Sequence, residues 1–165
     1  MRALLLLLLA ALACGGGPAA PPVEAIQEAC TDDFCVRYPE GWEVEQGEDF
    51  LNFRHPRGPD LLATISGADM ALIVESSGGS WPSSPENVSR DFWSLLEGGQ
   101  GAELEELVVE PSGSVLTRGR VEAGVLWHKL IPLAGGPQAW ALAVRAPSMA
   151  WEPHARVFLE GVTFR

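Results

Sequence analysis

Three histidines, a few acidic pairs and three cysteines are the residues whose types can do chemistry in this chain. His55, His128 and His154 stand too far apart for H-x-x-x-H or H-E-x-x-H, the spacings that turn two imidazoles toward one metal from a helix face. His55 precedes Pro56 and reads as a surface or turn residue. His154 lies near a helix start and reads as exposed. His128, between Trp127 and Lys129, reads as a structural histidine in a strand. A fold that set His128 beside a carboxylate would supply a general base for hydrolysis or one corner of a metal site. Asp32-Asp33 and the set Glu103, Glu105 and Glu106 resemble paired catalytic carboxylates only in composition. On a chain of net charge −11 such acids are expected on a solvated face. No G-x-S-x-G elbow, phosphate-binding loop or dinucleotide fingerprint occurs. The expectation is therefore no enzyme, no catalytic residues, no metal and no cofactor.

The cysteines carry more. Met1-Arg2 is a minimal basic start, and Ala3–Ala13 is an unbroken Ala/Leu run. That run falls well short of the about 20 apolar residues that a spanning helix needs, so it reads as a secretory signal peptide. Ala11-Leu12-Ala13 then offers an A-x-A cleavage site directly before Cys14. The arrangement resembles a bacterial lipoprotein signal, in which the Cys after the cut is lipidated, although Ala11 and Leu12 stand transposed relative to the usual lipobox. An ordinary signal peptidase cutting the same bond would leave Cys14 free. Multiple acyl chains on Cys14 would hold the protein at a membrane, since each buried CH2 contributes about 0.8 kcal/mol. By the same resemblance, Gly15 after the Cys implies sorting to an outer membrane, facing the periplasm or the cell surface.

Lipidation of Cys14 leaves Cys30 and Cys35, in a compartment where disulfides persist. Their C-x4-C spacing is not the C-x-x-C of thiol oxidoreductases. A bridge stapling the N-terminal arm is the leading reading; two free thiols, or redox or metal chemistry, are the alternatives. Asn87-Val88-Ser89 matches a glycosylation acceptor and reads as chance in a bacterial lipoprotein.

Composition excludes other classes. A net charge of −11 argues against nucleic acid, because phosphate binding needs clustered Lys and Arg. With Lys129 as the single lysine, a polybasic lipid-binding surface is excluded too. Hydrophobic residues make up 47% and charged residues 20%, which is a folding composition. The organisation expected is a signal peptide at 1–13, a lipidated Cys and Gly/Pro/Ala tether at 14–29, and a single globular domain at 30–165.

Within that domain Phe34, Val36 and Tyr38 alternate with Cys35 and Arg37, as a half-buried strand requires. Trp42–Glu45, with Trp42 and Val44 inward, Phe50–His55 and Leu61–Ser66 continue an antiparallel meander through Pro/Gly turns. A loop at 76–85 leads to a helix capped by Ser84, with Pro85 in its first turn. Val88, Phe92, Leu95 and Leu96 form its apolar face, Glu86 and Arg90 pair across one turn, and Gly98-Gly99 ends it. After the Glu-rich stretch, strands are expected at Leu107–Glu110, Val115–Glu122, Val125–Leu133 and Ala139–Ala146. The small face of the last, Ala139, Ala141 and Ala143, suggests a helix packed closely on it, supplied by Trp151–Leu159. Val162–Phe164 closes as a short strand. Of the six tryptophans, Trp42, Trp93, Trp127 and Trp140 read as core. Trp81, in a Gly/Ser/Pro loop, reads as a lid over the domain's own core or as a candidate partner contact. Strands, helix, strands, helix make an α+β fold with an antiparallel sheet of about six to eight strands flanked by two helices.

Phe34-Cys35-Val36-Arg37-Tyr38-Pro39-Glu40-Gly41-Trp42 resembles the opening of the Mog1/PsbP-like fold, strand, Tyr-Pro-x-x-Trp, strand. The ending through Phe158-Leu159 to Gly161-Val162-Thr163-Phe164 is similar to that family's terminal helix and strand. Cys35 is not part of the pattern. The resemblance implies an α/β/α sandwich and a non-catalytic partner of a larger assembly, and it carries over no catalytic residue. The function expected is a tethered accessory or protein-binding lipoprotein of the cell envelope, contacting a membrane through Cys14 and another envelope protein. The alternatives are a small-ligand carrier with a Trp-lined pocket and an envelope hydrolase using His128 with a carboxylate.

Overall fold

Alternating apolar residues in the first third fold into strands that share one buried face. The computed structural model describes residues 19–165, so Cys14 and the signal peptide expected at 1–13 lie outside the described residues. In chain order the elements are β1 (Ile26–Cys30), β2 (Phe34–Pro39), β3 (Glu43–Gln46), β4 (Phe50–Arg54), β5 (Leu62–Asp69), α1 (Met70–Ser76) and α2 (Pro85–Gln100). They continue with β6 (Glu103–Val109), β7 (Val115–Val121), β8 (Gly124–Pro132), β9 (Gln138–Ala146), α3 (Glu152–Glu160) and β10 (Val162–Phe164). A seven-stranded antiparallel sheet runs β3-β4-β5-β9-β8-β7-β6, and a three-stranded one runs β1-β2-β10. The meander β3–β5 leaves the sheet through α1 and α2. The meander β6–β9 then returns, so that its last strand pairs with β5 in the centre. This is the α+β sandwich expected from the sequence.

The main core lies between one face of the large sheet and the layer made of α3 and the small sheet. Leu51, Phe53, Ile65, Leu142 and Val144 meet Phe34, Val36, Ala155 and Phe158 there, all buried. Burial of this apolar surface, at about 25 cal/mol per Å2, is the main stabilising term. The opposite face carries α1 and α2 over a smaller cluster, Met70, Val74, Val88, Leu130 and Ala139. Among the described residues, no helix is long and apolar enough to cross a membrane.

Several sequence expectations are corrected. Residues 26–29, expected within a flexible tether, are not free. Ile26–Cys30 is a strand paired antiparallel with β2, and Ala20 packs against the main core. Trp42 is buried as expected, but Val44 is 37% exposed, because β3 is the edge strand of the large sheet and little covers it. Gly98-Gly99 does not end α2. The helix runs on to Gln100, and Gly101 takes the left-handed C-cap at φ 60°, its N–H donating to Glu97 O at 3.2 Å. The buried face of α2 is rotated toward Val88, Ser89 and Trp93, while Leu95 is 39% exposed. Glu103, Glu105 and Glu106 lie inside β6, where their carboxylates pair with Arg118 and Arg120 on β7. Residues 67–75, unassigned from sequence, end β5 and form α1, capped by the Asp69 carboxylate accepting from Ala71 and Leu72 N–H.

The small face of β9 is the largest reversal. α3 packs on the side of Leu142 and Val144, not on the alanines. Ala139 instead sits under α1 and the start of α2, and Ala143 lines an open groove. Large residues on one face of β9 fill the main core. Small ones on the other face let the helical layer approach where it covers the strand.

Cys30 and Cys35 form a disulfide across the β1–β2 pair, with Cα atoms 4.0 Å apart at directly opposed positions. The turn between them is set by Thr31, whose hydroxyl accepts from Asp33 and Phe34 N–H. Neither cysteine of the oxidised protein should react with a thiol reagent until reductant is added. Cys30→Ser should lower stability by about 2 kcal/mol, the loop-entropy contribution of so short a closure. Full labelling of both thiols without reductant would contradict the pairing.

Candidate functional site

Four places bring chemistry-bearing residues together. The first surrounds His128. Pro85 and the Ser84 cap start α2, and helical spacing then carries Phe92 and Trp93 onto β7 and β8. Trp93 Nε1–H donates to Thr117 Oγ1 at 2.8 Å, and Thr117 Oγ1–H donates to the backbone carbonyl of His128 at 3.1 Å. Gly119 leaves room for this contact, because a side chain there would overlap the Trp93 ring. The His128 ring stacks on Phe92, with centroids 4.3 Å apart. Burial alone pulls its pKa down to about 4, so the ring is neutral at ordinary pH. Its Nδ1 is buried with no hydrogen-bond partner, and so is the Oγ of Ser89 on α2. A hydroxyl and an imidazole thus share this layer without bonding each other, and His128 hydrogen-bonds no carboxylate. The pairing that the hydrolase alternative requires is not assembled.

The second place holds the other two histidines. Both were expected at the surface, and both are buried, His55 at 7% and His154 at 2% exposure. The reason is aromatic packing. Trp42 meets His55 edge to face at 5.3 Å and donates its indole N–H to His154 Nδ1 at 3.3 Å. Trp151 packs on both rings. With Nδ1 accepting, His154 carries its proton on Nε2, which donates to the Pro21 carbonyl at 2.8 Å. His55 Nδ1 accepts from Arg57 N–H at 3.2 Å. Burial first, then the neighbouring His154 and Arg57, hold the His55 pKa below its usual value. The corner opens on a shallow cavity of about 300 Å3 that Glu24, Glu40 and Arg57 also line. His154 uses both ring nitrogens within the protein, so it has none left for a metal.

The third is the N-terminal staple. Glu28, Cys30 and Cys35 lie within 4.8 Å of one another, a metal-like grouping, but the two sulfurs are bonded to each other and offer no thiolate. The fourth is the open groove between α2 and the floor of β5, β9, β8 and β7, of about 490 Å3. Its lining is Leu62, Phe92, Leu96, Leu126 and Ala143, with Thr64 and Arg145 among the polar side chains. The Trp-lined pocket expected for a carrier is therefore not this one. The groove is not legible in the sequence; its one local trace is the row of alanines in β9, which alternation alone matches equally to a helix contact.

Trp81 is half-buried and packs against the Met70–Val74–Val88 cluster. Trp42, Trp93, Trp127 and Trp151 are buried, and Trp140 is partly so, packed on Phe34 at 4.7 Å.

No protein-family model matches the chain, and no curated protein matches it by sequence. Among solved structures, the solution structure of cyanobacterial PsbP (CyanoP) from Synechocystis sp. PCC 6803 superposes with a TM-score of 0.58 at 13% identity. That match covers 91% of this chain and 98% of the other. A crystal structure from Bacteroides thetaiotaomicron VPI-5482 matches at 16% identity over 80% of this chain and 45% of its own, with a TM-score of 0.37. Nearly complete mutual coverage with CyanoP, together with the two antiparallel sheets and three helices, gives this chain a PsbP-like fold.

Proposed function

We propose that this protein is a non-catalytic accessory domain of the bacterial cell envelope, tethered to a membrane through a lipidated Cys14 and docking on another envelope protein. The observation that carries the reading is the fate of the histidines. Each of the three rings is packed among aromatic side chains, and none hydrogen-bonds a carboxylate. General acid–base work needs such a ring in reach of a substrate proton. The fastening of the first described residues also supports a tether. Pro21 is held by His154, and β1 is held by both β2 and the disulfide, so a pull from a membrane-bound Cys14 would pass into the body of the domain.

Cys14→Ala should move the protein from the membrane fraction to the soluble one, and the wild-type N-terminal peptide should carry the mass of acyl chains. A wild type that is processed, soluble and free of lipid would end the lipoprotein reading. For the docking half, a photo-crosslinking residue at position 81 in the tethered protein should trap a discrete envelope partner. Trapping of nothing above the level given by the same residue at Glu48, on the exposed β3–β4 turn, would remove Trp81 as the contact.

A further inference from the structure

We propose that the groove beneath α2 is a binding site for a long-chain carboxylate, its acyl chain lying over Leu62, Leu126 and Ala143 and its carboxylate meeting Arg145. The inference stands on the groove itself and does not depend on the tether or on a protein partner. α2 packs on β6, β7 and β8, and the strip of floor formed by β5 and β9 beside it stays open. The depth comes from Ala143, which lies between Thr64 and His128 in the strand register, where a larger side chain would fill the space. The volume of about 490 Å3 falls within the roughly 300–1,000 Å3 of small-molecule sites.

The chemistry of the walls selects the occupant. Phe92 and Leu96 on the helix side and Leu62, Leu126 and Ala143 on the sheet side are apolar. β5, β9 and β8 are interior strands, so their backbone groups already pair on both edges. An extended polypeptide laid here would bring amides that find no partner, which costs free energy. An acyl chain brings none. At one end of this floor Arg145 is flanked in register by Leu62 and Leu126. One terminal nitrogen of its guanidinium reaches Asp60 at 3.5 Å, and its Nε is buried without an acceptor. A ligand carboxylate would meet the exposed part of this guanidinium, on a side chain 37% exposed, through a charge-assisted hydrogen bond. Glu122, also at the groove, sits exposed on the β7–β8 turn.

The full chain should be titrated with cis-parinaric acid, a fluorescent long-chain carboxylate, below its self-association concentration. Binding at one equivalent is expected, displaced by palmitate about tenfold better than by hexadecanol, the advantage that one charge-assisted contact gives. Arg145→Gln should erase that preference while keeping hexadecanol binding. Ala143→Trp should abolish binding at an unchanged melting temperature. Should Ala143→Trp unfold the sheet, Leu96→Glu, at a half-exposed helix position, makes the same test from the opposite wall. Absence of saturable binding overturns the proposal. So does binding that Arg145→Gln and the groove-filling variants leave at wild-type strength. Groove amides protected from hydrogen exchange only by a second protein, and not by palmitate, would assign the groove to a polypeptide and equally overturn it.

Discussion

Trp42→Ala should bring the domain close to unfolding. Trp42 is 5% exposed and joins three parts of the fold. Its ring meets Phe158 of α3 edge to face at 5.0 Å and His55 after β4 at 5.3 Å, and its N–H bonds His154. Truncating a buried tryptophan costs about 3–5 kcal/mol through lost transfer energy and the cavity left behind. Here His154 Nδ1 also loses its donor, which adds roughly 1 kcal/mol. A domain of this size has about 5–15 kcal/mol in total. Urea midpoints of wild type, Trp42→Ala and Trp81→Ala make the comparison. Trp81 is only half-buried against the smaller cluster, so its loss should be under about half as large. Equal and large losses would make Trp81 a second structural anchor and remove it as a docking residue. Trp42→Phe, which keeps a ring but loses the donor, should fall between wild type and Trp42→Ala.

The same residue explains which features could be read from sequence. Phe34–Trp42 combines clean period-two alternation with a Pro-Glu-Gly turn, so strand, turn and buried tryptophan followed from local pattern alone. β1 did not, because Ile26-Gln27-Glu28-Ala29 has helical propensity and becomes a strand only by pairing with β2 and by the Cys30–Cys35 bond. α1 is short, and its Leu-Ile-Val run at 72–74 fits strand or helix equally; tertiary placement decides, with Met70 N–H donating to Pro137 O. The alanine face of β9 is legible but its neighbour is not, since alternation tells which residues share a face and not which element covers it. The burial of His55 and His154 escapes local pattern for a related reason. Each looks solvent-facing in its own segment, and only the meeting of the turn after β4 with α3 wraps them in Trp42 and Trp151. The groove is formed by five elements, α2, β5, β7, β8 and β9, and the alanine row of β9 is its one local trace.

Stability should fall as the pH drops from about 6.5 toward 4, with His128 as the main cause. In the folded chain burial holds its pKa at about 4, against an ordinary value of 6.5. The unfolded chain therefore takes up a proton at a pH where the folded chain does not. The stability tied to the neutral ring is fully present above about pH 6.5 and is lost progressively down to about pH 4, below which both states are protonated. The difference corresponds to roughly 3 kcal/mol over that window. The His55 pKa is also lowered, so its contribution runs in the same direction. Urea unfolding at pH 7.5, 6, 5 and 4.5 measures the slope. His128→Phe should flatten most of it, since Phe has no proton to gain and can stack on Phe92 in the same layer. The variant should not lose the Thr117 contact, which goes to the backbone carbonyl of residue 128 and not to the ring. An acid limb equally steep in His128→Phe would mean that the ring is protonated without cost, which its buried, unpartnered Nδ1 speaks against.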